Sequence, residues 1–256
     1  VIFKKVDETL GFSLSDIILN GPEQDLKLTQ NTQPAIMTIG VSIFNVLNNE
    51  MNFNLKEARF FAGHSLGEYT ALVCSGSLTL ERAAYLLFER GKSMQESVPI
   101  GEGSMTAVLG MTIDEVQQEI NLLPTNQICE IANDNSNNQV VVSGAKTIIE
   151  ILNENLKKKR KKSIVLPVSA PFHCSLMKKA QDKMIKKIEN TNFLTPKPGI
   201  ISNVTAKEEK DTKQIKTLLI DQIISRVRWR ESVDYMVKNG VNEFIEIGPG
   251  KVLSSL

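Results

Sequence analysis

The chain has 256 residues, 41% of them hydrophobic and 23% charged, with a formal net charge of +1 at pH 7. That length buries a large core in one α/β domain, with or without an insert, and the composition is that of an ordinary globular protein. The near-neutral balance gives no electrostatic ground for a nucleic-acid or membrane partner, and apolar runs such as Thr70–Cys74 are far too short to span a bilayer. No secretory leader is read. Three cysteines, Cys74, Cys129 and Cys174, are too few for a disulfide framework and odd in number, so a reducing, cytoplasmic compartment is expected.

In chain order, Lys56–Phe61 leads into Ala62-Gly63-His64-Ser65-Leu66-Gly67. An apolar run followed by small residues predicts a strand, a tight turn and a helix from Leu66 to about Ser75, stopped by Gly76. A second helix is expected from Leu80 to Glu96, with Thr79 as N-cap and Pro99 beyond its end. Then follow a strand (Met105–Leu109), a helix (Ile113–Leu122), a strand (Ile128–Ala132) and a polar turn (Asn133–Asn138). A strand (Gln139–Ser143), a helix (Lys146 to about Lys158) and a strand (Ser163–Val168) complete the order β-α-β-β-α-β, that of a small ferredoxin-like unit. Beyond Pro171 the pattern predicts a helix (Leu176–Glu189), a strand (Gly199–Val204), two helices (Lys213–Ile224 and Arg230–Asn239) and a strand (Val241–Ile247) ending in Gly248-Pro249-Gly250. The fold class read from this order is α/β: a hydrolase-like parallel-sheet main domain, residues 1–100 and 170–256, interrupted by a ferredoxin-like subdomain at 101–169.

Gly63-His64-Ser65-Leu66-Gly67 fits G-x-S-x-G, the nucleophile elbow. The glycines relieve clashes on a strained strand-to-helix turn that presents Ser65 as a nucleophile. The Leu66 backbone N–H then faces a tetrahedral oxyanion at the positive end of the helix; such a donor is worth roughly 3–4 kcal/mol. A chance glycine-serine turn is the bland reading, and the strand-turn-helix context argues against it. A serine needs a base, and the chain has only two histidines. His64 adjoins Ser65, and neighbouring side chains on a tight turn diverge, so His173 in Ser169-Ala170-Pro171-Phe172-His173-Cys174 is the expected base. Cys174 reads as a small buried residue. Arg90 shares a helical stripe with Ala83, Leu86 or Leu87 and Met94, so it points inward. It serves either an internal salt bridge, for instance with Glu68, or a bidentate clamp on a substrate carboxylate, and position alone leaves both open. No acid stands in the hydrolase order before His173 as an obvious third member of a triad.

These residues resemble the malonyl-CoA:acyl-carrier-protein transacylases of bacterial type II fatty-acid synthesis. The resemblance runs over nearly the whole chain, through Thr32-Gln33-Pro34-Ala35, Gly63-His64-Ser65-Leu66-Gly67-Glu68-Tyr69, Arg90-Gly91-Lys92-Ser93-Met94-Gln95, Pro171-Phe172-His173-Cys174 and Ile247-Gly248-Pro249-Gly250-Lys251-Val252. It implies a malonyl-Ser65 ester made from malonyl-CoA and passed to the phosphopantetheine thiol of acyl carrier protein, with His173 as base and then acid. It implies that Arg90 pairs with the malonyl carboxylate, that the main-chain oxygen of Gln222 orients His173, and that Asn133 lines the cleft. Phe172 before the histidine goes with malonyl over methylmalonyl. No bound cofactor and no metal are implied; the partners are malonyl-CoA and acyl carrier protein, and a monomer is expected. The family opens with a Phe-Pro-Gly-Gln-Gly segment whose glutamine N–H is the second oxyanion donor. Val1 falls after that segment, and the family's tail beyond Leu253 is missing too, so disorder or truncation rather than a different enzyme is expected.

Three rivals stand beside this reading: a serine hydrolase or thioesterase, the acyltransferase domain of a polyketide-type synthase, and a catalytically dead interaction module. The inward arginine and the lack of a triad acid favour the transferase over the hydrolase. The basic run Lys157-Lys158-Lys159-Arg160-Lys161-Lys162 reads first as a solvated helix end and only second as a surface that steers an acidic carrier protein.

Overall fold

The computed structural model describes residues 1–51 and 53–256. Four helices come first, a region for which the sequence reading offered no elements: α1 (Ile2–Leu10), α2 (Leu14–Asn20), α3 (Glu23–Leu26) and α4 (Thr29–Asn49). Ser13 caps α2 by accepting the Asp16 N–H. Pro34 sits inside α4, close to its start. The backbone then forms β1 (Phe61–Ala62), the turn at Ser65, α5 (Gly67–Cys74) and α6 (Leu80–Gln95). Thr79 caps α6 as expected, its side chain accepting the Arg82 N–H.

The middle of the chain runs β2 (Gly103–Leu109), α7 (Ile113–Asn121), β3 (Cys129–Ser136), β4 (Gln139–Ala145), α8 (Lys146–Lys158) and β5 (Lys162–Val165). The strands form one antiparallel sheet in the order β3-β4-β2-β5. Apolar side chains of β2, β4 and the two helices, among them Val108, Val116, Val140, Val142, Ile149 and Leu152, close a core of their own. The order of elements is the one expected, with one correction. The polar stretch from Asn133 is not a turn: β3 continues through it to Ser136. Polar residues hold a strand there because each has a partner. Asp134 binds Arg230, and Asn135 binds His64 and Gln139.

The rest comprises α9 (Lys178–Glu189), β6 (Ile200–Ile201), β7 (Glu208–Glu209), α10 (Thr212–Gln222) and α11 (Trp229–Lys238). The second sheet is small and mixed rather than wholly parallel. β1 pairs with β6 in parallel, and β6 turns back into β7 in antiparallel. The expected strand at Lys56–Phe61 shrinks to β1, and the one at Gly199–Val204 to β6. Residues 241–247 form no strand. Apolar character alone does not make a strand: a ladder needs a hydrogen-bonded neighbour, and among the described residues this segment has none. Helices α4, α5, α6, α9 and α10 gather around a large apolar core that includes Met37, Tyr69, Leu72, Leu86, Leu87, Met184 and Leu219. Among the described residues no helix is long and apolar enough to cross a membrane.

The antiparallel sheet meets the segment between α10 and α11 at a seam. The Val227 N–H donates to Ala132 O at 2.8 Å and the Asp134 N–H donates to Val227 O at 2.9 Å, so a residue of the second half of the chain pairs with β3. Register in the small sheet then fixes what reaches the site: β1 and β6 run side by side, with Ala62 opposite Ile201, so the residues just past both strand ends converge.

Candidate active site

Ser65 sits on the turn between β1 and α5 with φ of 53°, in the left-handed region that an L-residue occupies at a cost of about 1–2 kcal/mol. Asn203, just past β6, holds it there. The Ser65 N–H donates to Asn203 Oδ1 at 2.7 Å, and Asn203 Nδ2 donates to Gly63 O at 2.8 Å. One amide thus clamps both sides of the turn. The two glycines of the motif prove unequal. A Cβ on Gly63 would run into the Gly67 carbonyl and lie 2.7 Å from Glu68 N, whereas a Cβ on Gly67 would meet nothing within 4 Å. Gly63 is therefore required by packing, and Gly67 is not. The N–H groups of Gly67, Glu68 and Tyr69 close back on His64, Ser65 and Leu66. Among the described residues, the Leu66 N–H donates to no protein acceptor, as an oxyanion donor would require.

The structure brings His173 to Ser65, with Nε2 at 2.7 Å from the hydroxyl oxygen. Its Nδ1 lies 2.9 Å from the main-chain oxygen of Gln222 at the end of α10. A carbonyl only accepts, so Nδ1 carries the hydrogen and Nε2 presents a lone pair to the Ser65 O–H. His173 also has a positive φ, 58°. Two strained residues face each other, as happens where the surroundings over-determine a functional geometry. Burial first, then the charge of Arg90, push the His173 imidazolium down to about 3, against the opposing pull of Gln222 O, so the ring is neutral at pH 7.

His64 turns away from Ser65, as expected of an adjacent residue. Its Nε2 lies 2.9 Å from Asn135 Oδ1 and 3.2 Å from Asn133 Nδ2, and its ring is 5.6 Å from that of Trp229. Asn133 thus reaches the elbow only through His64, and from strand β3. Cys174 is fully buried against Ser143 and the Pro171 carbonyl, and burial pushes its thiol up to about 11. It is an inert thiol next to the histidine.

Arg90 is buried on α6, 1% exposed, as its place in the helical stripe predicts. Its Nη2 donates to Ser65 Oγ at 3.1 Å and to Gln222 Oε1 at 2.8 Å, and its Nη1 donates to Gln33 Oε1 at 2.6 Å. Among the described residues it makes no ion pair. The salt bridge to Glu68 is absent in its direct form. Instead Gln222 Nε2 donates to Glu68 Oε2 at 2.7 Å and to Ser65 O at 3.0 Å, so one carboxamide stands between the arginine and the acid. Glu68 is 1% exposed and also accepts the Asn203 N–H at 3.1 Å. Burial raises its carboxyl to about 7, opposed by those two hydrogen bonds and by Arg90.

Ser65, Leu66, Arg90, His173 and Gln222 therefore meet in one place, and Asn133 lies one side chain away. Sequence reasoning missed Asn203 and gave Gln33 and Glu68 no function of their own. Asn203 carries only a weak signal, a polar residue directly after a short buried strand. Among the described residues no group of three or more His, Cys, Asp or Glu side chains is gathered to hold a metal ion.

A serine on an elbow, a neutral histidine on its hydroxyl and a free backbone N–H at the helix start are what acyl transfer onto serine requires, and here a buried cation without an ion-pair partner lies beside them. The chain belongs to the acyl transferase domain family, whose profile matches residues 4–255. Its relatives within that family carry a more particular name. It is 38% identical to the malonyl CoA-acyl carrier protein transacylase of Haemophilus influenzae, over 99% of this chain and 81% of the relative. Among solved structures it is similar to the acyl-carrier-protein-S-malonyltransferase of Bartonella henselae, with a TM-score of 0.95 and 40% identity over 99% of this chain and 81% of that one. It is also similar to a malonyl-transacylase solved in complex with a type II PKS acyl-carrier protein, with a TM-score of 0.94 and 36% identity over 100% of this chain and 82% of that one.

Proposed function

We propose that this protein moves a malonyl group from malonyl-CoA to the phosphopantetheine thiol of acyl carrier protein, through an ester on Ser65. The observation that carries the reading is the position of Ser65 Oγ, 2.7 Å from His173 Nε2 and 3.1 Å from Arg90 Nη2. Ser65 Oγ attacks the thioester carbonyl as its proton passes to His173 Nε2. The Leu66 N–H receives the oxyanion. Collapse breaks the C–S bond, and the CoA sulfur leaves with the proton from His173. In the second half the carrier thiol gives its proton to His173 and attacks the ester, and Ser65 recovers its hydrogen. Gln222 O keeps Nδ1 protonated throughout and offsets part of the imidazolium charge that forms. Arg90 binds the malonyl carboxylate, Asn133 borders the cleft behind His64, and Phe172 narrows it toward malonyl.

We further infer a hydrolase-like main domain (1–100 and 170–256) that holds residues 101–169 as a ferredoxin-like insert. The strand order β3-β4-β2-β5 and the separate apolar core support this. A cytoplasmic, monomeric protein goes with the three free cysteines and the reaction class.

The test mixes the full-length protein with malonyl-CoA, with and without holo acyl carrier protein. Mass spectrometry is expected to find the malonyl adduct on Ser65, with steady CoA release only when carrier is present and malonyl ending on the carrier. Rapid CoA release without carrier, and no loaded carrier, would assign a hydrolase instead. A Ser65 that takes up no malonyl sinks both readings.

A further inference from the structure

Helices α4 and α6 touch backbone to backbone beside Arg90. A Cβ on Gly91 would lie 2.5 Å from Thr29 O and 2.6 Å from Gln30 Cα, so only glycine allows this approach. The crossing carries Gln33, 4% exposed, to Arg90 Nη1 at 2.6 Å. A guanidinium only donates, so the Gln33 atom that faces it is the carbonyl oxygen, and the amide nitrogen points to Met94 Sδ, 3.7 Å away. Gln222 meets the other end of the guanidinium in the same way, through its oxygen.

Two neutral acceptors therefore aim a buried cation, and the nearest acid in the network, Glu68, stands one amide away. This is an unusual choice for a buried charge, which is ordinarily paired directly with an acid. A glutamate at position 33 has the same side-chain length and would reach the same nitrogen as a charge-assisted partner. The Arg90 Nε–H is likewise buried without a partner. The guanidinium is held in direction but not neutralised.

We propose that Gln33 is a specificity-determining residue: a neutral acceptor that aims Arg90 at Ser65 and leaves its charge free for the carboxylate of the incoming acyl group. The proposal rests on the role assigned to Arg90 above. An acid at position 33 would compete, from inside the protein, with the malonyl carboxylate for one cation. An acetyl group, which has no carboxylate, would not feel that competition.

The test measures kcat and KM for transfer from malonyl-CoA and acetyl-CoA in the wild-type protein and in Gln33→Glu, Gln33→Met and Arg90→Ala. Gln33→Glu is expected to lower malonyl kcat/KM by about 100-fold, mostly through KM, and to change acetyl kcat/KM by less than about 5-fold. Gln33→Met removes the acceptor without adding charge, so it loses the aim alone and is expected to lower the malonyl-to-acetyl ratio clearly less than Gln33→Glu does. Should the glutamate variant not fold, Gln33→Asp places the same charge on a shorter side chain and reads the same ratio. Equal losses for both acyl groups in the acidic variants, or a malonyl-to-acetyl ratio that falls as far in Gln33→Met as in Gln33→Glu, overturn the proposal. The Arg90→Ala arm separates the two levels. An unchanged ratio there removes the carboxylate role of Arg90 itself. A collapsed ratio in Arg90→Ala with an intact one in Gln33→Glu removes only the role of Gln33.

Discussion

The imidazole and the guanidinium of this site share one hydroxyl, and that ties their chemistries together. His173 Nε2 and Arg90 Nη2 both lie on Ser65 Oγ, so any charge on the imidazole forms close to a fixed positive charge. Burial alone lowers the proton affinity of His173, and Arg90 lowers it further, while the Gln222 carbonyl pulls the other way. The sign follows directly. In the proposed mechanism the neutral ring is the base, so activity is expected to fall where the free ring takes up a proton, and with burial and Arg90 that lies far below the usual histidine range. Replacing Arg90 by alanine removes a positive charge that disfavours the imidazolium. The acid limb of the kcat/KM profile is then expected to move to higher pH, by on the order of one unit. Acetyl-CoA is the substrate to use, because the loss of a carboxylate clamp does not enter its rate. An acid limb that stays where it is would mean that the arginine charge is screened from the ring. The same geometry explains why a third acid is not needed behind His173: a main-chain carbonyl orients the ring, and burial, helped by a neighbouring cation, keeps it neutral at rest.

At the scale of elements, the site is made by the joint between β1 and α5. Gly63 leaves β1 where the chain doubles back against the first turn of α5, and a methyl group there would strike the Gly67 carbonyl and crowd Glu68 N at 2.7 Å. The obstacle is backbone at the start of a helix, so it does not yield as a side chain would. Gly63→Ala is expected to cost about 3 kcal/mol of stability, read by urea unfolding, and to slow malonylation of Ser65 by more than about 100-fold. Gly67→Ala is the contrast, with open space at its Cβ and effects on both readouts expected to be small. The joint was legible in the sequence because its demands are local: small residues around a serine, between an apolar run and a helical pattern. Arg90 was legible for the same reason, as a charged residue in an apolar stripe closed by Thr79 at one end. What escaped depends on residues distant in the chain. Asn203 reaches Ser65 because β6 lies beside β1, and Gln33 reaches Arg90 because α4 and α6 cross at a glycine. Asn133 looked like a turn residue because its partners, His64 and Val227, lie elsewhere in the chain. Val241–Ile247 looked like a strand because its own residues favour one, and strands are decided by neighbours.

For the molecule as a whole, the question is how firmly the 101–169 segment is held against the elbow. The seam consists of the Val227 pairing with β3, the contacts of His64 with Asn133 and Asn135, and a charged clasp. In the clasp Asp134, fully buried on β3, receives Arg230 of α11 in bidentate fashion at 2.8 and 3.1 Å, and Arg230 also meets Asp234 at 3.2 Å. The two partners are not equivalent. Asp134 has no access to water, whereas the Arg230 side chain keeps 26% of its surface exposed and has a second acid. Removing the arginine strands a buried carboxylate; removing the carboxylate leaves a cation with water and Asp234 to turn to. Arg230→Ala is therefore expected to cost about 3 kcal/mol in urea unfolding, and Asp134→Asn clearly less, about 1 kcal/mol. Equal costs would show that the clasp is more hydrated than its burial indicates. The rate of Ser65 malonylation in the same two variants separates stability from function. His64 precedes Ser65 directly and is gripped from β3, so a loosened seam is transmitted to the elbow itself. Arg230→Ala is expected to slow the acylation step by roughly 10-fold even at temperatures where the variant is fully folded, with KM for malonyl-CoA little changed. A loss confined to KM would instead place the effect in how the cleft receives the substrate.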